Sequence, residues 1–339
     1  MIKLKNKFAI GCLIQWYEIE QIELYLESVK QSLENIENKD NVIIDLYFNT
    51  SQSLEKVDRT QITLSEIIQK YHKIIEKVFN YDDDLVSLVG CDYNLKLSTN
   101  IHSEEFYTIA DYRREFNDKY CEEVDVLMWG ETDSLIPKET FEILDGLHNT
   151  VKDSTPKYVS FFGTCKMWDE SWKPIEHTDF TDKPFIEDDY DNWWSVKYTM
   201  SLEEMYKIND KVEDIDLRVT DRLKFNGCGL VISSEVVKSG VNIPKSVFFV
   251  HEDTAFQNVL IKLFGNSIPQ YVIKNVLLVH NRNHPKKRMY VKGERDDGTM
   301  NEKRRSNDWY VKANKMSEQN CYNILNPNYK SFTWEDVWK

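Results

Sequence analysis

Two apolar runs lie within the first fifty residues of this chain, and a helical pattern separates them. The runs cover residues 8–16 (FAIGCLIQW) and 42–48 (VIIDLYF), and strands this apolar are typical of a sheet that is covered on both faces. Between them, residues 18–33 place apolar side chains at helical spacing and begin with acidic residues. A strand, a helix and a second strand in this order predict a βαβ unit, and therefore an α/β fold with a mostly parallel sheet flanked by helices.

The length of 339 residues allows one large α/β domain or two smaller ones, and a hydrophobic content of 41% is that of a globular protein. We predict a main domain over residues 1–284, with an insertion at about 163–200, and a polar, basic extension over 285–339. The insertion holds tryptophans among many acidic residues, which is typical of a lid or binding loop but also of a small satellite core. Within the main domain, residues 201–224 predict a further helix.

The charge and cysteine content limit the partners and the location. A net charge of −14 argues against general affinity for polyanions, although residues 282–305 hold nine Lys/Arg against four Asp/Glu. The six cysteines are scattered without a CxxC pair, which favours a reducing cytoplasm, either bacterial or that of a virus-infected host cell. No run approaches the roughly 20 apolar residues that span a bilayer, so we expect no membrane span.

An acidic motif follows another apolar run that has the pattern of a buried strand. Residues 124–129 (VDVLMW) end at Gly130, and Glu131-Thr132-Asp133 comes next. In extended backbone, Glu131 and Asp133 point to the same side. Two carboxylates at the end of a buried strand suit a hard divalent cation and the oxygens of a phosphate ligand. The alternative is an ordinary acidic loop between a strand and a helix.

Three later features complete a set with a fixed order. Gly227-Cys228-Gly229 precedes a strand, Glu252-Asp253 opens a helix, and His280 ends a late strand. Together with the βαβ opening and the acidic strand end, this order resembles that of the GT-A glycosyltransferases. These are nucleotide-sugar-dependent enzymes built on one Rossmann-like sheet, and the resemblance covers about residues 8–284.

The resemblance implies a metal site. Glu131 and Asp133 would hold Mn²⁺ or Mg²⁺ against the donor diphosphate, with Thr132 beside them, although the usual motif has Asp in place of Glu131. The cation would neutralise the charge left on the diphosphate when the sugar–phosphate bond breaks. His280 would complete the metal shell, which favours Mn²⁺ because Mg²⁺ prefers oxygen ligands. Equally, His280 could be a histidine with an ordinary partner at a strand end.

The resemblance also implies a catalytic base. In inverting members a carboxylate of the Glu-Asp pair deprotonates the acceptor hydroxyl, and here Asp253 is the first candidate and Glu252 the second. A base has to lie within hydrogen-bonding distance of that hydroxyl. The alternative is that both are acidic residues at a helix N-terminus, where their charge is favourable in any protein.

The remaining donor contacts are expected on three segments. The nucleotide would face the end of the first strand, at Ile14, Gln15 and Trp16. Arg113 or Arg114 would meet the diphosphate, since a guanidinium matches phosphate geometry, and the other could form a surface ion pair. The helix phase decides between them. Gly227 and Gly229 would let a sugar approach the backbone.

We therefore predict a metal-dependent, inverting glycosyltransferase that moves a hexosyl or pentosyl group from a nucleotide-diphosphate donor, a UDP-sugar first, to an acceptor hydroxyl. The acceptor is a glycan, which the tryptophans of the insertion would suit, or a modified base in phage DNA, which the basic segment would bind. The alternatives are a non-catalytic GT-A-like binding protein and a nucleotidyltransferase. No glycine-rich, lysine-containing phosphate loop follows the first strand, and both acidic pairs are kept.

Overall fold

A computed structural model describes residues 1–19, 21–50, 64–80, 93–100, 107–164, 201–220, 225, 227–280 and 308–339. Most of the predicted insertion and the whole basic segment 282–305 lie outside these residues, and so do the tryptophans of the insertion. Element labels below count the described elements in chain order. The predicted division into a main domain and an extension stays a prediction.

Within the ranges given above, the strands form one sheet of nine. They are β1 Phe8–Gln15, β2 Val42–Asn49, β3 Asn94–Thr99, β4 Val126–Trp129, β5 Ser134–Leu135, β6 Val159–Thr164, β7 Leu217–Val219, β8 Val231–Ser233 and β9 Gln270–His280. Their order is β3-β2-β1-β4-β8-β6-β9-β5, and β7 also pairs with β9. The pairings give β1, β2, β3, β4, β6 and β9 one direction, while β5, β7 and β8 run the opposite way. The α/β fold with a mostly parallel, Rossmann-like sheet is confirmed.

Helices cover both faces of this sheet. They are α1 Ile22–Gln31, α2 Leu64–Phe79, α3 Ile109–Tyr120, α4 Thr140–Val151, α5 Leu202–Asn209, α6 Ser234–Lys238, α7 Glu252–Phe264, α8 Asp308–Tyr322 and α9 Trp334–Trp338. Alternate residues of β1 pack into two different cores, because successive side chains of a strand point to opposite faces. Ile10 and Cys12 contribute to the core that includes α1 and α2, and Ala9 and Leu13 to the core that includes α3 and α7.

The helix predicted over residues 201–224 is wrong in its second half. The helix ends at Asn209, and Leu217–Val219 form β7, which pairs antiparallel with β9. All three side chains of β7 are exposed, so no buried apolar run marks this strand in the sequence. Within the described residues, no helix has the length and apolar character needed to cross a bilayer.

The strand order brings several strand ends to one edge of the sheet. From β1 the chain proceeds to β2 and β3 on one side, whereas β4 lies on the other side of β1. Ligands of open α/β sheets bind at such a reversal, beyond the carboxyl ends of the strands. β9 has the same direction as β4, so its last residue lies at this edge, and β8 is antiparallel, so its start lies there too.

The C-terminal helices pack against the segment that leads into α7. Ser317 on α8 donates its hydroxyl proton to the carbonyl of Val250 over 2.6 Å. The Asn320 amide donates to the carbonyl of Ser246 over 2.7 Å. Residues 308–339 therefore pack against the segment just before α7 and stabilise it. A separate aromatic cluster, which includes Phe248 and Trp334, lies between the two parts.

Candidate functional site

The acidic segment 131–133 leaves the sheet through a turn at the end of β4. The backbone N–H of Gly130 donates to the carbonyl of Gly11 on β1 over 2.7 Å, so the chain is tied to the sheet one residue before Glu131. The hydroxyl of Ser134 then closes the turn by donating to the carbonyl of Glu131 over 2.8 Å. The segment is thus a turn and not the extended backbone that we expected from side-chain alternation.

His280 lies between the two carboxylates of this turn. It ends β9 and is paired with Ser134 in the antiparallel β5–β9 ladder. Its Nε2 atom lies 3.1 Å from Oε2 of Glu131 and 3.4 Å from Oδ2 of Asp133. Thr132 is buried beside them. The three residues that we predicted as metal ligands therefore lie together at the carboxyl edge of the sheet.

Cys228 lies beside the same point, and the sequence analysis did not name it as a ligand. One ligand atom each from Cys228, Glu131 and His280 lie within 4.8 Å of one another. Sequence reasoning singled out only the flanking glycines, because a cysteine in apolar surroundings is most often a core residue. The sequence did contain one indication of this role, because Cys228 lies between two glycines that were already assigned to the site.

These side chains fit a divalent cation. Carboxylate oxygens, an imidazole nitrogen and a thiolate sulfur are all established ligand types. Asp133 is 1% exposed at its side chain, His280 11% and Glu131 23%, so bulk water would screen an ion among them only weakly. Glu131, Asp133 and His280 would hold such an ion, with the Cys228 sulfur close by.

Arg113 joins this cluster to the start of α7. One of its terminal nitrogens donates to Glu131 over 2.6 Å, and the other donates to Glu252 over 2.5 Å. The side chain is 2% exposed, and its guanidinium lies 4.7 Å from the centre of the Trp129 ring.

Arg114 has a different neighbourhood. It donates to Asp111 over 2.6 Å, one turn earlier on the same helix. An ion pair was the alternative expectation for one of the two arginines, but the Arg114 side chain is 12% exposed and so lies mostly below the surface. The phase of α3 turns Arg113 toward the acidic cluster and leaves Arg114 outside it.

Glu252 and Asp253 open α7 but have different surroundings. Glu252 is buried and bound to Arg113, whereas Asp253 is half-buried. One carboxylate oxygen of Asp253 accepts the backbone N–H of Thr254 over 2.6 Å. His251 before them has a positive φ of 68°, and its ring lies 3.2 Å from the amide oxygen of Asn314 on α8.

The pKa values of Glu131 and Glu252 are shifted in opposite directions within this cluster. Burial raises the pKa of Glu252 to about 7, because the opposing charge of Arg113 offsets only part of the desolvation and Asp253 adds to it. Burial would also raise the pKa of Glu131, but its hydrogen bond with His280 and the charge of Arg113 lower that pKa to about 2. Glu131 is therefore ionised at neutral pH, and Glu252 titrates near it.

His280 and Cys228 are shifted in ways that follow from the same contacts. Burial lowers the pKa of His280, but Cys228 and Asp133 beside the ring outweigh it, so the pKa lies well above the ordinary value. Burial raises the pKa of the Cys228 thiol.

The two glycines around Cys228 let other parts of the site approach. A Cβ atom on Gly227 would lie 2.8 Å from Cβ of Asp253, so only glycine leaves room for this carboxylate. Gly229 has a φ of +72°, and a Cβ there would lie 2.5 Å from Leu278 on β9. Both glycines thus contact protein groups of the site.

The predicted nucleotide contacts at the end of β1 divide into two kinds. The side chains of Ile14 and Trp16 are buried in the core of α1 and α2. Gln15 is half-buried, and its side-chain oxygen accepts the amide of Asn49 at the end of β2 over 2.9 Å. The Asn49 oxygen in turn accepts the amide of Asn100 over 2.6 Å. Of the three predicted residues, Gln15 is the one whose side chain lies at the strand ends.

Comparison with known proteins gives structural likeness only. No protein-family model and no curated protein matches the sequence. Similar solved structures include one described as a mycobacterial protein, at 8% identity and a TM-score of 0.38, covering 85% of this chain and 73% of that one. Another is 4-diphosphocytidyl-2C-methyl-D-erythritol synthase from Anaerococcus prevotii DSM 20548, at 11% identity and a TM-score of 0.35, covering 79% of this chain and 88% of that one. Likeness at this level carries no information about activity.

Proposed function

We propose that this protein is a metal-dependent glycosyltransferase that moves a sugar from a nucleoside-diphosphate donor to an acceptor hydroxyl with inversion. The observation that supports it is the convergence of Glu131, Asp133 and His280 at the reversal of strand order, where a phosphate-bearing ligand of an α/β sheet binds. These three residues would hold the cation, which neutralises charge on the departing diphosphate.

Asp253 is the proposed base. It is half-buried and so reachable by a ligand, whereas Glu252 is buried and engaged by Arg113. The carboxylate of Asp253 would take the proton of the acceptor hydroxyl as its oxygen bonds to the anomeric carbon and the bond from that carbon to the diphosphate breaks. Gly227 leaves the space that this carboxylate occupies.

Arg113 is proposed as a positioning residue for both halves of the site. Its two ion pairs hold Glu131 at the cation and Glu252 at the start of α7. Since Asp253 follows Glu252 directly, fixing one also limits the position of the other. The side-chain amide of Gln15, at the end of β1, is the proposed contact for the nucleoside, and the buried Asn49 at the end of β2 holds it by a hydrogen bond.

The proposed acceptor is a glycan or a modified base in DNA. Both assignments depend on segments outside the described residues, so they rest on composition: tryptophans in the insertion and the basic charge of residues 282–305. A salt-sensitive mobility shift of duplex DNA would support the DNA acceptor, and its absence at low salt would leave the glycan.

The test is ligand-dependent stability followed by turnover. Thermal unfolding is measured with a panel of nucleoside diphosphates, each with and without Mn²⁺. A ligand at 100 times its Kd should add about 2.7 kcal/mol to the free energy of unfolding. We expect one nucleotide to stabilise the protein only with the cation, and Asp133→Asn to abolish that effect. Asp214→Asn, a change at an exposed aspartate, is the matched control.

The outcomes distinguish the proposal from its rivals. Release of the nucleoside diphosphate from the corresponding nucleotide sugar supports the glycosyltransferase. Consumption of a nucleoside triphosphate with release of pyrophosphate would instead make the protein a nucleotidyltransferase. Stabilisation by no nucleotide at all would overturn the proposal in favour of a protein that binds something else.

A further inference from the structure

We propose that Cys228 is itself a ligand of the cation, and that its sulfur makes the site prefer an ion such as Zn²⁺ or Co²⁺ over Mg²⁺. The inference rests on the proposed cation site and deepens it by naming the class of ion. A set of carboxylate, imidazole and thiolate ligands suits borderline ions, whereas Mg²⁺ prefers oxygen ligands in octahedral geometry.

The backbone around Cys228 holds the sulfur at this point. The N–H of Gly229 donates to the carbonyl of Trp129 over 3.0 Å, and the N–H of Trp129 donates to the carbonyl of Leu230 over 2.9 Å. These two bonds continue the pairing between β4 and β8 up to the turn that carries Glu131. Cys228 is therefore fixed opposite the acidic segment by main-chain bonds and not by chance side-chain packing.

The other side of the turn is fixed by β9. Gly229 adopts a positive φ, and a Cβ there would lie 2.5 Å from Cδ1 of Leu278, so the turn packs directly against this side chain. Leu278 is two residues before His280 on the same strand, so the turn is held between the strand that supplies the imidazole and the strand that leads to the carboxylates. Cys228 is thus held beside both the imidazole and the carboxylates, as a ligand of an ion between them has to be.

The distances agree with a shared ion. Bonds of about 2.3 Å to sulfur and about 2.0–2.1 Å to nitrogen or oxygen place the ligand atoms of a tetrahedral ion roughly 3.3–3.6 Å apart. The ligand atoms of Cys228, Glu131 and His280 lie within 4.8 Å of one another, so side-chain rotations that bring them together by about 1 Å would place them on one ion. Asp133 lies 3.4 Å from the same histidine nitrogen but outside this group of three.

A buried cysteine is usually an inert core residue, and the chain has others to compare. Cys12, Cys121 and Cys321 are also buried. In the part of the chain that the structure describes, Cys228 is the cysteine that belongs to a group of metal-ligating side chains. Burial alone therefore does not account for where Cys228 lies.

The experiment measures binding of metal ions to the purified full-length protein after treatment with a chelator. Mg²⁺, Mn²⁺, Co²⁺ and Zn²⁺ are titrated by calorimetry and by competition, and the Co²⁺ complex is examined for the near-ultraviolet absorption of a cobalt–thiolate bond. We expect this absorption in the natural chain. We expect Cys228→Ser to remove it and to weaken Co²⁺ and Zn²⁺ binding by at least about tenfold, with Mn²⁺ binding changed much less.

Controls keep the result specific. Cys121→Ser makes the same chemical change at the end of α3, where the neighbours are Asp118, Glu122 and Lys238, and should alter nothing. Cys228→Ala, checked for folding by circular dichroism, excludes weak coordination by the serine hydroxyl. The spectrum of the natural chain does not depend on any variant being folded.

Each alternative outcome has one meaning. A Co²⁺ complex without thiolate absorption, or unchanged Co²⁺ and Zn²⁺ affinity in both Cys228 variants, overturns the inference but leaves the cation site and the proposed function standing. If the natural chain binds none of the four ions, the proposed metal-dependent function fails together with it.

Discussion

Arg113 donates to the carboxylate of Glu252 over 2.5 Å, although 139 positions separate the two residues in the chain. The same guanidinium donates to Glu131, so one buried cation links the end of β4 to the start of α7. Buried charges are stable only when they are paired and hydrogen-bonded. The acidic cluster therefore depends on Arg113 for its structure before any ligand is considered.

Replacing Arg113 by Met should strongly destabilise the protein. Loss of the guanidinium leaves Glu252 buried without its cation, and breaking a buried pair in this way costs about 3–5 kcal/mol. Urea unfolding measures the change. Arg114→Met is the control, because Arg114 pairs with the partly exposed Asp111 within one helix, and we expect it to cost clearly less than Arg113→Met. Adding Glu252→Gln to Arg113→Met should recover part of the loss, and equal costs for the two arginines would contradict this account.

The pH dependence of stability should report on Glu252. Its pKa of about 7 lies above the ordinary 4.5, so between these values the folded chain keeps a proton that the unfolded chain has lost. Its contribution to the free energy of unfolding is complete below pH 4.5 and is lost as the pH rises through 7, by up to about 1.4 kcal/mol per pH unit. Glu131 acts oppositely and outside this window, since its pKa is about 2 and its contribution is lost as the pH falls below 4.5.

The measurement is urea unfolding at pH 5, 6 and 7 for the natural chain and for Glu252→Gln. The difference in unfolding free energy between them should fall as the pH rises. Glu235→Gln, at an exposed glutamate on α6, should show a constant difference from the natural chain. A constant difference for Glu252→Gln as well would show that this carboxyl titrates normally.

Gly227→Ala adds only one methyl group, but we expect it to lower turnover strongly. The new methyl group would lie where the Asp253 carboxylate now packs and would push away the proposed base. We expect turnover to fall at least tenfold, because a displacement of about 1 Å of a catalytic group costs on the order of 100-fold. Gly146→Ala on α4 is the control: nothing lies within 4 Å of its Cβ position, and alanine in a helix adds about 0.5–1 kcal/mol of stability. Normal turnover in Gly227→Ala would remove Asp253 from its proposed role.

Asn320→Ala should show whether residues 308–339 unfold together with the sheet. The Asn320 side chain is buried, and its amide donates to the carbonyls of Ser246 and Phe332 while its oxygen accepts the N–H of Phe332. Leaving such groups unpaired costs about 1–3 kcal/mol each. If the chain is one cooperative unit, the whole unfolding transition moves to lower urea. Gln319→Ala, exposed on the same helix, should leave it in place, and a separate early transition in Asn320→Ala would mark an independent extension.

The parts of the fold that the sequence predicts well are those with a local signal. The apolar runs of β1 and β2 and the amphipathic helix between them follow from side-chain pattern alone, because both faces of these strands are covered. β7 has no such signal: its side chains are exposed, and its pairing depends on β9, about fifty residues later in the chain. Because no local pattern indicates a strand there, the predicted helix was extended over these residues.

Which residues form the site was easier to predict than how those residues are arranged in space. Glu131 and Asp133 lie next to His280 as expected, but a turn closed by Ser134 brings them there. The choice between Arg113 and Arg114 needs the packing of α3 against α7, which one sequence does not contain. Cys228 went unnoticed because the chemistry of a cysteine depends on its neighbours in space, and those come from the turn after β4 and from the end of β9.

The distribution of these residues along the chain has a consequence for how the protein is made. The second carboxylate that binds Arg113 belongs to residue 252, and Ser134 can pair with His280 only after the end of β9 has been synthesised. A ribosome-bound chain that has not yet released residue 280 therefore lacks the histidine and holds Arg113 incompletely satisfied. The site is completed late in synthesis, and fragments that end before β9 should bind neither a metal ion nor a nucleotide.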